Sequence, residues 1–183
     1  ISDYSQVTKA VEHCVSIFGG LHMAANCAGI TAGGALVADV SEAQIDRSID
    51  INVKGTWNCL RAELPAILES GGGAIVNVSS TMGLVATPMA SPYIVAKHAL
   101  IGLTKAAAME YSAMGIRVNA VCPGGTDTAM LDDQTKKALV PLHPIGRIGQ
   151  PGEIASAIVF LLSPAASFVT GVAMPVDGGW TTH

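Results

Sequence analysis

Three side chains with complementary acid–base chemistry stand close together in the stretch SSTMGLVATPMASPYIVAK, residues 79–97. Ser80 precedes Tyr93 by thirteen positions and Lys97 follows it by four. A spacing of four on a helix puts Tyr93 and Lys97 on one face. An ammonium beside a phenol favours the phenolate and draws the tyrosine pKa down from about 10 towards neutrality. A phenol tuned in this way is a general acid for a carbonyl oxygen or a general base for an alcohol. A serine hydroxyl projecting from a neighbouring strand end can hold the same oxygen. Taken alone, Tyr-x-x-x-Lys recurs by chance in many helices, and the alternative is a polar loop that enters an ordinary helix.

The elements that would position these residues alternate between helix and strand. Val7, Ala10, Val11, Cys14, Val15 and Phe18 follow a helical period across residues 3–18, with Asp3 placed to cap the helix and Gly19-Gly20 to end it. LHMAANCAG then reads as a short buried strand that runs into a glycine turn. A long helix is expected from Ser41 to about Leu68, disturbed at Gly55 and Pro65 and opened by a Ser41/Gln44 capping box. GGGAIVNVSS reads as turn and strand, followed by a loop with Pro88 and Pro92. A helix is expected from Tyr93 to Met114, then a strand in GIRVNAVCPGG. A short helix within 132–140, a helix from Pro151 to Leu162 and a last strand, Gly171 to Val176, complete the pattern. This alternation predicts one α/β domain over residues 1–183, built on a parallel sheet. Ligands bind such sheets beyond the C-terminal strand ends, and there lie Asn26 to Gly29, Ser79-Ser80 and Pro123 to Thr128.

Composition narrows the function further. Half of the 183 residues are hydrophobic and 13% are charged, which excludes a disordered chain. Aromatic residues make up only 4%, so Ala, Val, Ile and Leu must fill the core. The net charge is −4 and no block of Lys and Arg occurs, which argues against nucleic acid as a partner. Cysteines 14, 27, 59 and 122 form no Cys-x-x-Cys and stand at no metal-ligand spacing with histidine. They are expected to be free, buried thiols, and no metal is expected. Asn77-Val78-Ser79 matches a glycosylation sequon but falls in an expected buried strand. Ile154 to Val176 carries no charge, yet Ser163-Pro164, Gly171 and Pro175 interrupt it, as suits a helix, turn and strand rather than a membrane span. A cytoplasmic protein without membrane association is expected. His22, His98 and His143 have no evident partner and read as structural.

Taken together, NCAG at 26–29, NVKG at 52–55, NVSS at 77–80, YIVAK at 93–97 and PGGTDT at 123–128 resemble the short-chain dehydrogenase/reductase family in order and spacing. The resemblance runs along the whole chain to the terminal VDGGW. It implies a Rossmann-type doubly wound sheet and an NAD(P)-dependent oxidoreductase that interconverts a secondary alcohol and a ketone. By the same resemblance Ser80 orients the substrate oxygen, with Ser79 as its structural neighbour, and Tyr93 gives or takes the proton. Lys97 lowers the pKa of Tyr93 and grips the nicotinamide ribose, while a backbone distortion at Asn52 holds a water in the proton relay. The cofactor, NAD or NADP, would touch Asn26, Ala28, Gly29, Tyr93, Lys97, Pro123, Gly124, Thr126 and Thr128. Ser80, Met82, Leu84, Met89, Met130 and Leu131 are expected to border the substrate. Self-association as a homodimer or homotetramer is expected through the helices at 41–68 and 93–114.

Two departures from the family pattern carry expectations of their own. Cys27 stands where the family has a second asparagine, which puts in doubt the amide that ties this strand to its neighbour. No TGxxxGxG phosphate loop occurs, because the chain starts where the third strand of the family should end. The resemblance therefore implies about four strands, with 21–26 as an open edge or paired to another molecule, and weak NAD(P) binding with little or no turnover by these 183 residues alone. A catalytically silent remnant acting as an oligomeric or regulatory protein is the alternative.

Overall fold

The computed structural model describes residues 1–182. Four parallel strands form one sheet in the order β1 (Met23–Asn26), β2 (Gly73–Val78), β3 (Ile116–Pro123) and β4 (Ala173–Val176). The expected α/β architecture is present, with β1 as an edge strand paired with β2 alone. Around the sheet run α1 (Tyr4–Phe18), α2 (Glu42–Ser48), α3 (Gly55–Glu69), α4 (Ser91–Tyr111), α5 (Asp133–Leu139) and α6 (Pro151–Leu162).

Local chemistry sets most of the helix ends. The Asp3 carboxylate accepts from the Ser5 N–H at 2.9 Å, and Gly19 closes α1 in a left-handed conformation at φ 78°. The Ser41/Gln44 box opens α2 as expected. The expected single helix over 41–68 is divided: α2 and α3 flank a π-turn at Ile49–Lys54, in which the Gly55 N–H reaches back to the Asp50 carbonyl. Near Pro65 α3 runs on uninterrupted to Glu69.

β2 and β3 are buried along almost their whole length, as a sheet covered on both faces requires. One core cluster joins Leu60, Leu64 and Ile67 of α3 to Ile75, Ala107, Ile116 and Val118. A second lies on the other face, with Val76 and Val121 against Ile154 and Leu161 of α6. Arg117 fastens α6 to the sheet, its guanidinium donating to the carbonyls of Leu161, Leu162, Ser163 and Val169 at 2.7–3.2 Å. Beside the edge strand, Ile17, Phe18 and Met23 are exposed. Among the described residues no helix is long and apolar enough to cross a membrane. Cysteines 14, 27, 59 and 122 are all free, but only Cys59 and Cys122 are buried. Cys14 is half-buried and Cys27 exposed, because α1 and β1 lie at the open side of the sheet.

Candidate active site

The C-terminal ends of β1, β2 and β3 are in register: Asn26 pairs with Asn77, and Val78 with Val121. Whatever follows each strand is therefore delivered to one end of the sheet. After β2 the chain enters a 3₁₀ turn at Thr81–Gly83 that Ser80 caps, its Oγ accepting from the Met82 N–H at 3.1 Å. Helix α4 then presents Tyr93 in its first turn and Lys97 one turn later. Ser79 locks β2 to α4, its hydroxyl donating to the Lys97 carbonyl at 2.9 Å. Gly83 makes that approach possible, since a Cβ there would lie 2.5 Å from the Ser79 hydroxyl and 2.8 Å from the Lys97 carbonyl.

Ser80, Tyr93, Lys97 and Asn52 are brought together by this arrangement. Lys97 is 4% exposed. Its Nζ donates to the Val78 carbonyl at 2.9 Å and stands 5.5 Å from the Tyr93 ring centroid. Burial brings its pKa down to about 8. The expected depression of the Tyr93 pKa is reversed: burial raises it above 10.0, and a hydrogen bond with Ser80 only partly offsets the rise. Loss of hydration disfavours the phenolate, and the lysine proton points at a strand carbonyl.

Asn52 is fully buried within the π-turn. Its Oδ1 accepts from the Ile30 N–H at 3.0 Å and its Nδ2 donates to the Ile30 carbonyl at 3.1 Å. The Asn52 carbonyl accepts from the Thr56 hydroxyl at 2.8 Å, so the distorted backbone is stabilised by a side chain. Gly29 fits beneath this group without a side chain. A Cβ there would fall 2.9 Å from Asn52 Oδ1 and 3.3 Å from Lys97 Nζ.

The remaining expected cofactor residues divide. Ala28 is exposed, and Pro123 and Gly124 are half-buried at the mouth of β3. The Asn26 amide turns inward instead, its Nδ2 donating to Glu63 Oε2 and Asn77 Oδ1, both at 3.0 Å. Asn77 passes the chain on to Thr104. Asn26 thus ties β1 to its neighbour, and that contact does not depend on position 27. Thr126 bonds back to the Gly124 carbonyl at 3.1 Å, whereas Thr128 is exposed and accepts from the Met130 N–H.

A cleft of about 880 Å³ opens beside Gly29, bordered by residues 29–34, Gln44, Arg47, Ala129 and Met130. Of the expected substrate residues Met130 lies on it, while Ser80, Met82, Leu84, Met89 and Leu131 do not border this cavity. Met82 and Leu84 are half-buried, and Met89 is exposed with a left-handed φ of 63°. The 30–34 loop is a wall outside the expected substrate residues, and the Gly33-Gly34 pair a few residues beyond the strand end is the signal for it in the sequence. No group of acidic, histidine and cysteine side chains able to hold a metal occurs among the described residues.

A family model described as enoyl-(acyl carrier protein) reductase matches residues 1–181. Cyclohexanol dehydrogenase of Acinetobacter sp. (strain SE19) is 47% identical over 173 residues, which is 94% of this chain and 69% of that protein. Among solved structures, ElxO with NADP bound is 33% identical with a TM-score of 0.94, covering 100% of this chain and 76% of its own. Carveol dehydrogenase from Mycobacterium avium in complex with NAD is likewise 33% identical with a TM-score of 0.94, over 100% and 73% of the two chains.

Proposed function

This chain belongs to the short-chain dehydrogenase/reductase family of NAD(P)-dependent oxidoreductases, and we propose that it interconverts an alicyclic secondary alcohol and its ketone with Ser80, Tyr93, Lys97 and Asn52. The observation that carries the proposal is the gathering of a serine, a tyrosine and a buried lysine at one sheet end. There a glycine leaves room between Asn52 and Lys97. Cyclohexanol and carveol in the names of two relatives favour a ring-borne hydroxyl group as substrate.

The residues present fit the nicotinamide side of a dinucleotide. Gly29 keeps the space beside Asn52 and the Lys97 ammonium free of a Cβ atom, and Ala28, Pro123 and Gly124 lie at the strand ends next to it. The nicotinamide supplies or accepts the hydride when bound. Lys97 would hold the nicotinamide ribose. Ser80 donates a hydrogen bond to the substrate oxygen and aligns it with Tyr93. The phenol, kept protonated by burial, is ready to give its proton to a carbonyl oxygen. For alcohol oxidation it must first lose that proton, and an approach of the Lys97 ammonium lowers the cost. Asn52 holds the Ile30 loop in place and presents the π-turn from which a water is positioned. Exposed Trp57, Val95 and Met109 on α3 and α4 support self-association as a homodimer or homotetramer through these helices.

Tyr93→Phe tests the assignment, with cyclohexanol oxidation and cyclohexanone reduction followed through nicotinamide absorbance. Turnover should fall by at least about a thousandfold while NAD(P)H affinity stays within about twofold. A Tyr93→Phe protein as active as the wild type would overturn it. Wild-type protein that binds NAD(P)H but turns over no alcohol or ketone would favour the silent alternative.

A further inference from the structure

The loop after β3, residues 123–128, is the one assigned above to the cofactor, and a single imidazole holds it from behind. His143 is 3% exposed. Its Nε2 accepts from the Gly125 N–H at 2.9 Å, and its Nδ1 lies 2.8 Å from the Leu139 carbonyl. An amide N–H only donates and a carbonyl only accepts, so one state of the ring satisfies both contacts: neutral, with the proton on Nδ1. Trp180 packs against the ring edge-on, with centroids 5.2 Å apart.

The loop is shaped to receive this ring. A Cβ at Gly124 would lie 2.7 Å from His143 Nε2, and one at Gly125 would lie 3.0 Å from Cε1. Two other anchors of the loop run between backbones, the Gly124 N–H donating to the Val176 carbonyl at 3.1 Å and the Asp127 N–H to the Gly149 carbonyl at 2.9 Å, and a partly exposed ion pair joins Asp127 to Lys136 of α5 at 2.7 Å. The Gly125 N–H is held by a side chain instead, and that side chain belongs to the segment that begins at Met130 and passes through α5.

We propose that His143 is a positioning residue. By accepting from Gly125 and donating to Leu139, it fixes the cofactor-facing loop to the end of α5 and so sets the spacing between the nicotinamide side of the site and the segment that carries Met130. The functional half of the proposal rests on the oxidoreductase reading above. The latch itself is a property of the cofactor-free protein.

Amide hydrogen exchange at Gly125 and nitrogen-resolved NMR of the His143 ring, both without nucleotide, test the latch. Fluorescence titration with NADH and NADPH tests its consequence. In His143→Phe, Gly125 exchange should rise at least about tenfold while Val118 exchange is unchanged, and nucleotide affinity should fall about tenfold. His143→Gln offers a carbonyl oxygen to the same N–H and should recover most of both. The ring in the wild type should carry its proton on Nδ1, a result that requires no variant to fold. A proton on Nε2, unchanged Gly125 exchange in the Phe variant, or a Gln variant no better than Phe would overturn the proposal. Faster exchange with unaltered nucleotide affinity would overturn its functional half. Wild-type protein that binds neither nucleotide even at millimolar concentration, where weak binding still registers, would overturn the oxidoreductase reading and that half with it, whereas failure of the latch alone leaves wild-type binding intact.

Discussion

Replacing Lys97 by methionine should stabilise the fold near neutral pH while ending turnover. The ammonium is 4% exposed and faces a carbonyl, with no carboxylate as partner. Its pKa falls from 10.5 to about 8, a drop of about 2.5 units. The folded value is depressed, so the stability gained from a neutral lysine is present above the unfolded pKa and lost as the pH falls through about 8. At pH 7 nearly all of it has been lost, and at about 1.4 kcal/mol per unit the buried charge costs about 3 kcal/mol. Methionine keeps most of the buried stem but gives up the bond to Val78, a loss of about 1–2 kcal/mol. The net gain is then about 1–2 kcal/mol.

Urea unfolding of the wild type and Lys97→Met between pH 7 and pH 9 checks both the sign and the slope. The wild type recovers about 1 kcal/mol over that interval as the folded-state lysine loses its proton, so the advantage of the variant should shrink by that amount. The buried thiol of Cys59, pushed up to about 11, is present in both proteins and cancels in the difference, whereas that of Cys122, also pushed up to about 11, senses the Lys97 charge and adds a smaller contribution. A Met variant less stable than the wild type at pH 7, by an amount that stays constant to pH 9, would refute the reasoning. It would mean that the hydrogen bond outweighs the cost of burying the charge.

Three further outcomes follow from contacts elsewhere. Arg117→Met removes a donor shared by four carbonyls and should lower stability by about 2–3 kcal/mol in denaturant titrations; an unchanged midpoint would show that water replaces it. Asn52→Leu strands both backbone groups of Ile30 and should cost about 2–4 kcal/mol and abolish activity, whereas near-native stability would mean that the π-turn does not depend on the amide. Burial raises the Glu63 pKa above 4.5, so its stability contribution is full below that value and declines as the pH rises through the folded pKa. Glu63→Gln should therefore match the wild type in acid and exceed it at neutral pH, as thermal melts against pH would reveal; equal curves would count against the shift.

Where a structural feature is decided by neighbours in sequence, the sequence displayed it. Asp3 with Gly19, Ser41 with Gln44, and Pro151 mark helix ends because caps and first-turn prolines act within a few residues. Strand alternation and the polar strand ends pointed to the candidate site for the same reason. The misses came from interactions at long range. Gly55 and Pro65 were the visible irregularities of the helix, yet the distortion lies at 49–54, where Asn52 reaches a loop twenty-two residues away. The Tyr93 pKa depended on burial, and the substrate wall on how loops fold back, neither of which is encoded in spacing. Asn26 lay on the expected strand end, but only the tertiary structure shows that its amide points to Glu63 and Asn77.

The same long-range contacts tie the elements of the candidate site to one another. Its polar groups are placed where water does not reach: Asn52 and Asn77 are fully buried, and Ser79 and Lys97 nearly so. Among the described residues no buried side-chain nitrogen or oxygen lacks a partner. Nearly every partner belongs to a different element. Asn52 joins the π-turn to the loop after β1, Ser79 joins β2 to α4, and Asn26 joins β1 to β2 and α3. A buried amide or hydroxyl left unpaired costs about 1–3 kcal/mol, so each contact opposes independent movement of the elements it bridges. Lys97 differs from the others, because a carbonyl satisfies its proton but not its charge. An anionic partner beside the ammonium would relieve that cost, so this buried charge stands to gain from binding.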